Sequence, residues 1–221
     1  MKRDKLTLME LYQALRKLYG YRGWWPGETT DEIIIGAILT QNVNWKNVEK
    51  AINNLKANDL LSFEQIQHCP TESIARLIIP TRYYNQKARR LKDFAEFMLT
   101  EYSFSFEQMF ARETAFLRKQ LLQIKGIGRE TADSILLYAG DKLQFVSDAY
   151  TARLLDRLGF VSQKIDYDER VDFITRQIPQ DVELYKDMHA QIVHFSATVC
   201  KAKPLCEGCV FAGCAGSIFH G

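Results

Sequence analysis

Between two amphipathic helical runs the sequence places Lys125-Gly126-Ile127-Gly128, two glycines around one apolar residue, and this break constrains the fold more than any other stretch. Leu121, Leu122 and Ile124 close the first run. In the second, from Arg129 onward, Ala132, Ile135, Leu136 and Ala139 recur at three- and four-residue spacing. Glycine reaches positive φ and lets backbone approach closely, so the break predicts a tight helical hairpin. The following helix starts there with unpaired N–H groups aimed outward and a dipole that favours an anion. Two readings fit: an ordinary corner closed by a glycine cap, or a phosphate-binding helix–hairpin–helix with Lys125 and Arg129 beside the anion. A G-x-G triplet alone does not separate them.

Most other segments also read as helices. Thr7-x-x-Glu10 predicts a capping box, followed by Leu8, Leu11, Tyr12, Leu15 and Leu18 at helical spacing and by Gly20 and Gly23 as terminators. Thr29-x-x-Glu32 opens a helix through Ile33 to Leu39 that is apolar nearly all round, which makes it central to its domain. Helices are expected from Val48 to Leu55, after Ser62, from Thr71 to Ile79, and twice more after residue 160. The apolar stretch Leu143 to Val146 is too short to imply a sheet. The fold class is therefore all-α, in two helical domains: residues 24–142 holding the hairpin, and residues 1–23 with 143–221 forming the second.

Hydrophobic residues at 47% and charged residues at 25% describe a folded globular chain rather than a disordered one. A net charge of +2 means that any polyanion-binding face must come from local clustering. Neither an apolar signal segment nor a membrane-length run is present, so the chain is expected to be cytoplasmic. Four of five cysteines, Cys200, Cys206, Cys209 and Cys214, crowd one C-terminal stretch, which in a reducing compartment points to a metal site. Cys69 stands alone.

Asp148 follows Gly128 by about twenty residues, after a short apolar stretch and at the start of another helix. Taken by itself it reads as an N-cap. At this distance from the hairpin, however, the pair resembles the signature of the endonuclease III superfamily of DNA glycosylases, in which that carboxylate is catalytic. Further motifs carry the resemblance over nearly the whole chain. Leu39-Thr40-Gln41-Asn42 resembles the superfamily segment whose glutamine, here Gln41, enters the space left by an extruded base. Tyr84-Asn85-Gln86-Lys87-Ala88 matches another, which makes Tyr83 the residue that wedges into the duplex. With Trp24-Trp25-Pro26 and Trp45, the closest likeness is to the endonuclease III-like 3-methyladenine DNA glycosylases.

The resemblance implies double-stranded DNA containing a damaged base as partner, bound in a cleft between the domains by a monomer. Its DNA contacts would come from Arg82, Tyr83, Lys87, Arg89, Arg90, Lys125, Gly126, Ile127, Gly128, Arg129, Lys201 and Lys203. Trp24, Trp25, Gln41 and Trp45 would meet the base. Two adjacent tryptophans can equally plug a core. The basic run from Arg82 to Arg90 can equally be a solvated helix face.

Four thiolates at C-x5-C-x2-C-x4-C can hold zinc or an iron–sulfur cluster. The pattern resembles the C-terminal [4Fe–4S] loop of endonuclease III, with each outer spacing one residue shorter. Four cysteines leave no open position on a metal, which implies a structural or redox-sensing role.

Bifunctional superfamily members carry a lysine two places after the second hairpin glycine, a nucleophile that forms a Schiff base with deoxyribose. Here that position is Glu130. The expectation is therefore a monofunctional glycosylase that hydrolyses an N-glycosidic bond, with Asp148 facing an oxocarbenium-like sugar. A pocket of tryptophan faces favours a cationic alkylated purine. A glycosylase for oxidised pyrimidines or mismatches with lyase activity, and a non-catalytic iron–sulfur DNA-binding protein, are the other two readings.

Overall fold

The computed structural model describes residues 6–214. Among them it has twelve α-helices and no strand. In chain order these are α1 Leu8–Tyr19, α2 Thr30–Leu39, α3 Trp45–Lys56, α4 Phe63–His68, α5 Thr71–Leu77, α6 Tyr84–Tyr102, α7 Phe106–Phe110, α8 Thr114–Leu121, α9 Arg129–Ser134, α10 Ala149–Arg157, α11 Tyr167–Thr175 and α12 Val182–Thr198. No helix among the described residues is long and apolar enough to cross a membrane. The chain divides into two compact units, Trp25–Lys142 and the combination of Met1–Trp24 with Leu143–Gly221.

In the unit Trp25–Lys142, α2 is the central element. Ile34, Ile35, Ala37, Ile38 and Leu39 are all buried in one core. Transfer from water contributes roughly 1.5–3 kcal/mol for each large aliphatic side chain buried in this way. The Thr29 hydroxyl caps the helix by accepting from the Glu32 N–H at 3.2 Å. Glu32 is itself buried, and it pairs with Lys56 at 2.9 Å, which ties the start of α2 to the end of α3. The long helix α6 packs along α4 and α5. Its face of Ala88, Leu91, Phe94, Ala95 and Met98 is closed off from water, and Phe94 meets Phe63 of α4 at a ring separation of 4.5 Å.

Two element boundaries differ from the sequence reading. α3 starts at Trp45 rather than Val48, because the Asn44 side chain accepts from the Asn47 N–H at 3.1 Å and caps it there. The helix expected from Thr71 to Ile79 ends at Leu77, and Ile79–Thr81 form a 3-10 turn. Pro80 explains this, since its ring disfavours helical geometry in the residue before it.

Within the second unit α1 packs on α12, and the contact is organised by the buried carboxylate of Asp187. Tyr12 donates its hydroxyl to that carboxylate at 2.9 Å, Arg16 its guanidinium at 2.7 Å, and Arg22 its backbone N–H at 3.0 Å. Burial, followed by the bond to Asp187, pushes the Tyr12 phenol up to about 12. The expected capping box at the start of α1 is present, with Thr7 and Glu10 each bonding the other's backbone. Gly20, at φ +68°, then ends the helix.

Candidate functional site

The hairpin runs from Leu122, past α8, to Gly128, which caps α9. Its two glycines sit in unlike surroundings. Gly126 has φ +85°, and a Cβ there would also collide with the Arg90 side chain. Gly128 is extended at φ −90°, and a Cβ would meet no protein atom within 4 Å. Nothing inside the protein excludes a side chain at Gly128, so the open backbone at the start of α9 faces outward. Ile127 between them is 4% exposed and anchors the turn in the core, while Lys125 is exposed. A two-point ion pair joins the flanking helices: Arg118 Nε lies 2.6 Å from Asp133 Oδ1, and Nη2 lies 3.1 Å from Oδ2. Beyond α9 the backbone widens into a π-helical turn at Ile135–Ala139.

The glutamine segment and the basic run meet this hairpin from behind. Gln41 donates to the Gly126 carbonyl at 3.1 Å and to the Thr131 hydroxyl at 2.8 Å, and accepts from Arg90. Two of the residues expected to contact DNA are engaged within the protein, Lys87 wholly and Arg90 in part. Arg90 lies beneath the turn of Gly126 and is occupied by Gln41. Lys87 is 1% exposed, and its ammonium donates to the carbonyls of Leu39 at 2.8 Å and Thr81 at 2.6 Å. Burial, followed by the repulsion of Arg90, lowers the Lys87 ammonium to about 8. The physical cause of this correction is the backbone reversal between Thr81 and Tyr84, where buried carbonyls need a donor that water cannot supply.

The same reversal presents Arg82 and Tyr83. Both hold positive φ, +57° and +44°, a conformation that costs on the order of 1–3 kcal/mol per non-glycine residue and persists where surrounding structure enforces it. Lys87 supplies that enforcement. Tyr83 stands 65% exposed at the tip, and Arg82 and Arg89 are exposed as well.

Among the tryptophans, Trp25 and Trp45 meet edge to face at 5.4 Å, and Trp25 also packs on Tyr138 at 5.3 Å. The ring of Trp25 lies over Gly36 of α2, where a Cβ would come within 2.9 Å of the indole nitrogen. Trp45 donates its indole N–H to Glu49 at 2.9 Å. Trp24 falls in the other compact unit.

In that unit Asp148 caps α10. Its Oδ1 accepts from the Thr151 N–H at 2.8 Å and from the Thr151 hydroxyl at 2.9 Å. Its other oxygen, Oδ2, faces His189 of α12, whose Nε2 lies 3.8 Å away. Burial is the largest influence on this carboxyl and pushes it up. The His189 ring and the two Thr151 donors together outweigh that push and hold it below the usual carboxylate range. Capping uses one oxygen and leaves the other, so the N-cap reading and the catalytic reading do not compete for the same atom.

Downstream of α12, Cys200, Cys206, Cys209 and Cys214 line a single cavity enclosing about 320 Å³ of empty space, part of it open to solvent. Leu154, Phe195, Val199 and Phe211 complete its apolar wall. None of the cysteines is in a disulfide. Burial and the nearness of the other three sulfurs push the Cys209 thiol up. No three of the described His, Cys, Asp or Glu side chains converge as a single ion would need. The donor set nevertheless fits a thiolate-ligated group, because four thiols share one enclosed space with an apolar wall.

Two arginines of α10, which sequence reasoning did not single out, brace the first loop of this site. Arg157 donates to the carbonyls of Cys200, Lys201 and Ala202 at 3.2, 2.6 and 2.9 Å, and to the Cys200 sulfur at 3.3 Å. Arg153 bonds the Cys200 carbonyl at 3.1 Å. The four-residue spacing of the two was visible in the sequence, but it looked like any helical pair. Lys201 and Lys203 are exposed in the same loop. His189 was also missed, since one histidine in a buried helix carries no local signal.

The HhH-GPD superfamily base excision DNA repair protein family matches residues 35–180. The chain is 45% identical over 211 residues to a Methanocaldococcus jannaschii protein described provisionally as a DNA repair glycosylase, covering 95% of this chain and 96% of that one. It is 26% identical over 178 residues to the endonuclease III of Thermotoga maritima, covering 80% and 78%. Its structure is similar to that of the H. pylori 3-methyladenine DNA glycosylase MagIII bound to 1,N6-ethenoadenine, with TM-score 0.77, 33% identity, and coverage of 87% and 98%. A non-covalent endonuclease III–DNA complex shares the fold at TM-score 0.82 and 20% identity over 97% of this chain and 98% of that one. The motifs around Gly126, Gln41 and Asp148 thus lead to the same place as these likenesses: the chain belongs to the HhH-GPD superfamily of base excision DNA repair proteins, within the wider group of endonuclease III relatives.

Proposed function

We propose that this protein is a monofunctional DNA N-glycosylase that extrudes an alkylated purine of the 3-methyladenine type and hydrolyses its glycosidic bond. The observation that carries the reading is the aromatic group of Trp25, Trp45 and Tyr138. Its electron-rich faces suit a base that carries positive charge, and such a base is already a good leaving group. The 33% identity to a 3-methyladenine glycosylase supports the same substrate class.

The roles follow from placement. Exposed Lys125 and the open backbone at Gly128 receive phosphate, helped by Arg129, Arg82 and Arg89. Tyr83, at a rigid exposed tip, wedges into the duplex as the nucleotide swings out. Gln41, tied to the hairpin it accompanies, takes the vacated position. As the bond between C1′ and the base breaks, Asp148 Oδ2 stabilises the positive sugar, and water adds to C1′ with its proton passing to a carboxylate oxygen. Glu130 is exposed and offers no amine for a Schiff base.

The cysteine cavity is proposed to hold a [4Fe–4S] cluster through Cys200, Cys206, Cys209 and Cys214. These four residues would hold the group, and the cavity they share, walled by apolar side chains, suits a thiolate-ligated cluster. When bound it supplies structural cross-linking or electron storage rather than hydrolysis.

The deciding experiment presents purified protein with duplexes bearing methylated purines, oxidised pyrimidines or a G·T mismatch, with and without alkali. Release of the methylated base, with strand breakage only after alkali and no borohydride-trapped complex, is the expected result. Preference for oxidised pyrimidines, or covalent trapping, would establish endonuclease III-like chemistry instead.

A further inference from the structure

We propose that His189 is a positioning residue for base release, its imidazole holding Asp148 Oδ2 in the orientation and ionised form that the reaction uses. The inference rests on the reading of Asp148 given above and extends it to a residue on another helix. The carboxylate has two oxygens in unlike surroundings. Oδ1 is committed to the backbone and hydroxyl of Thr151. Oδ2 is weakly hydrated, since the side chain is 12% exposed, and it faces an imidazole nitrogen at 3.8 Å. A buried carboxylate beside a buried imidazole costs more to assemble than an apolar pair of the same size, unless each stabilises the other's charge or orientation.

Polar and charged groups on the neighbouring segments have partners of their own. From the segment before α10, Phe145 presents its ring edge to His189 at 6.5 Å, and Ser147 turns its hydroxyl to Arg170 of α11 at 2.7 Å. The Tyr167 hydroxyl accepts from the Ser147 N–H at 3.4 Å. On α12 itself Tyr185 stacks edge-on against Phe145. Arg153, beyond Asp148 on α10, is engaged with the Cys200 and Ser196 carbonyls. Arg170 is bound to Ser147 and to the Ile165 carbonyl. The pairing of His189 with Asp148 is therefore a separable interaction that a substitution can remove without disturbing the helix cap.

A merely structural histidine and a positioning one differ in how pH enters. If His189 helps keep Asp148 ionised, removing the ring raises the pH at which the carboxylate protonates. The acid limb of the base-release profile then moves upward. If His189 only fills space, its loss lowers the rate by the same factor at every pH.

The test is single-turnover release from dimethyl sulfate-treated duplex DNA between about pH 3 and 8, a range that reaches below the ordinary carboxylate value, for wild type, His189→Asn, His189→Phe and Asp148→Asn. The expected outcome is that both His189 variants shift the acid limb upward, by about one unit, the equivalent of a tenfold change in equilibrium. A limb that stays in place in folded His189 variants overturns the proposal. If Asp148→Asn releases base at the wild-type rate, the catalytic assignment itself falls, and this inference with it. The two failures are therefore distinguishable. Should the variants not fold, the His189 ring resonances of the wild-type protein serve instead. They should show an inflection as Asp148 titrates at acid pH, and flat resonances there overturn the proposal.

Discussion

Arg118 and Asp133 clamp the two helices of the hairpin with a pair of parallel hydrogen bonds, at 2.6 and 3.1 Å, around a carboxylate that is wholly buried. Removing the cation takes away both hydrogen bonds that this buried carboxylate accepts from Arg118. Arg118→Ala is expected to destabilise the fold by about 3–5 kcal/mol, the cost of breaking a buried pair from one side. Combining Arg118→Met with Asp133→Leu, which replaces both charges by apolar side chains, should recover much of that loss. Denaturant titration of the single and double variants checks both statements.

Lys87 should leave its mark on stability at alkaline pH. Its folded value of about 8 lies below its ordinary value of 10.5. Between those values the unfolded chain binds more protons than the folded one, so stability rises with pH across that window, and the gain is lost as pH falls back to about 8. Lys87→Met removes the titrating group. The difference in stability between wild type and variant should therefore change by on the order of 1.4 kcal/mol per unit across that window. Parallel curves would mean that Lys87 is not titrating there.

Asp148→Asn separates the two roles of that residue. The amide keeps an oxygen for the Thr151 cap while removing the charge at Oδ2. Thermal stability is expected to change little, and base release to fall by about a hundredfold or more, the scale of one preorganised electrostatic partner. An unaltered rate, or an unfolded protein, would return the residue to a plain N-cap.

Phosphate binding is expected at the front of the hairpin, not behind it. Lys125→Ala with Arg129→Ala should reduce the slope of log affinity against log salt by about 0.9 for each phosphate no longer neutralised. Lys87→Met, although it sits in the most basic run, should leave that slope unchanged. Titrations of undamaged duplex at several salt concentrations distinguish the two.

Arg157 bonds three carbonyls and one sulfur of the cysteine loop. Arg157→Ala should loosen the loop and speed loss of iron to a chelator by about 10–100-fold, the usual cost of removing a group that orients metal ligands. Protein purified without oxygen should carry iron and sulfide in equal amounts, about four of each as the cluster type requires. One zinc and no iron would defeat the cluster assignment.

What the sequence alone determined is what local spacing encodes. A cap such as Thr7 with Glu10, an amphipathic repeat, a glycine forced to φ +85° at Gly126, and four cysteines in one short loop each declare themselves within a few residues. Local energetics dominate such features, so they are legible in the chain directly. The direction of a side chain is another matter. Lys87 and Arg90 lie in a run that reads as a DNA-facing surface, yet Lys87 is buried against Leu39 and Thr81 and Arg90, half-buried, reaches under Gly126. Lys87 and Leu39 are 48 residues apart, and Arg90 and Gln41 are 49. Asp187 and His189, neighbours on α12, acquire their meaning from Arg16 and Asp148 on helices far along the chain. Such pairings depend on which helices pack together, because the cost of burying a charge is offset only by a partner that tertiary structure delivers. Only the tertiary structure could decide them.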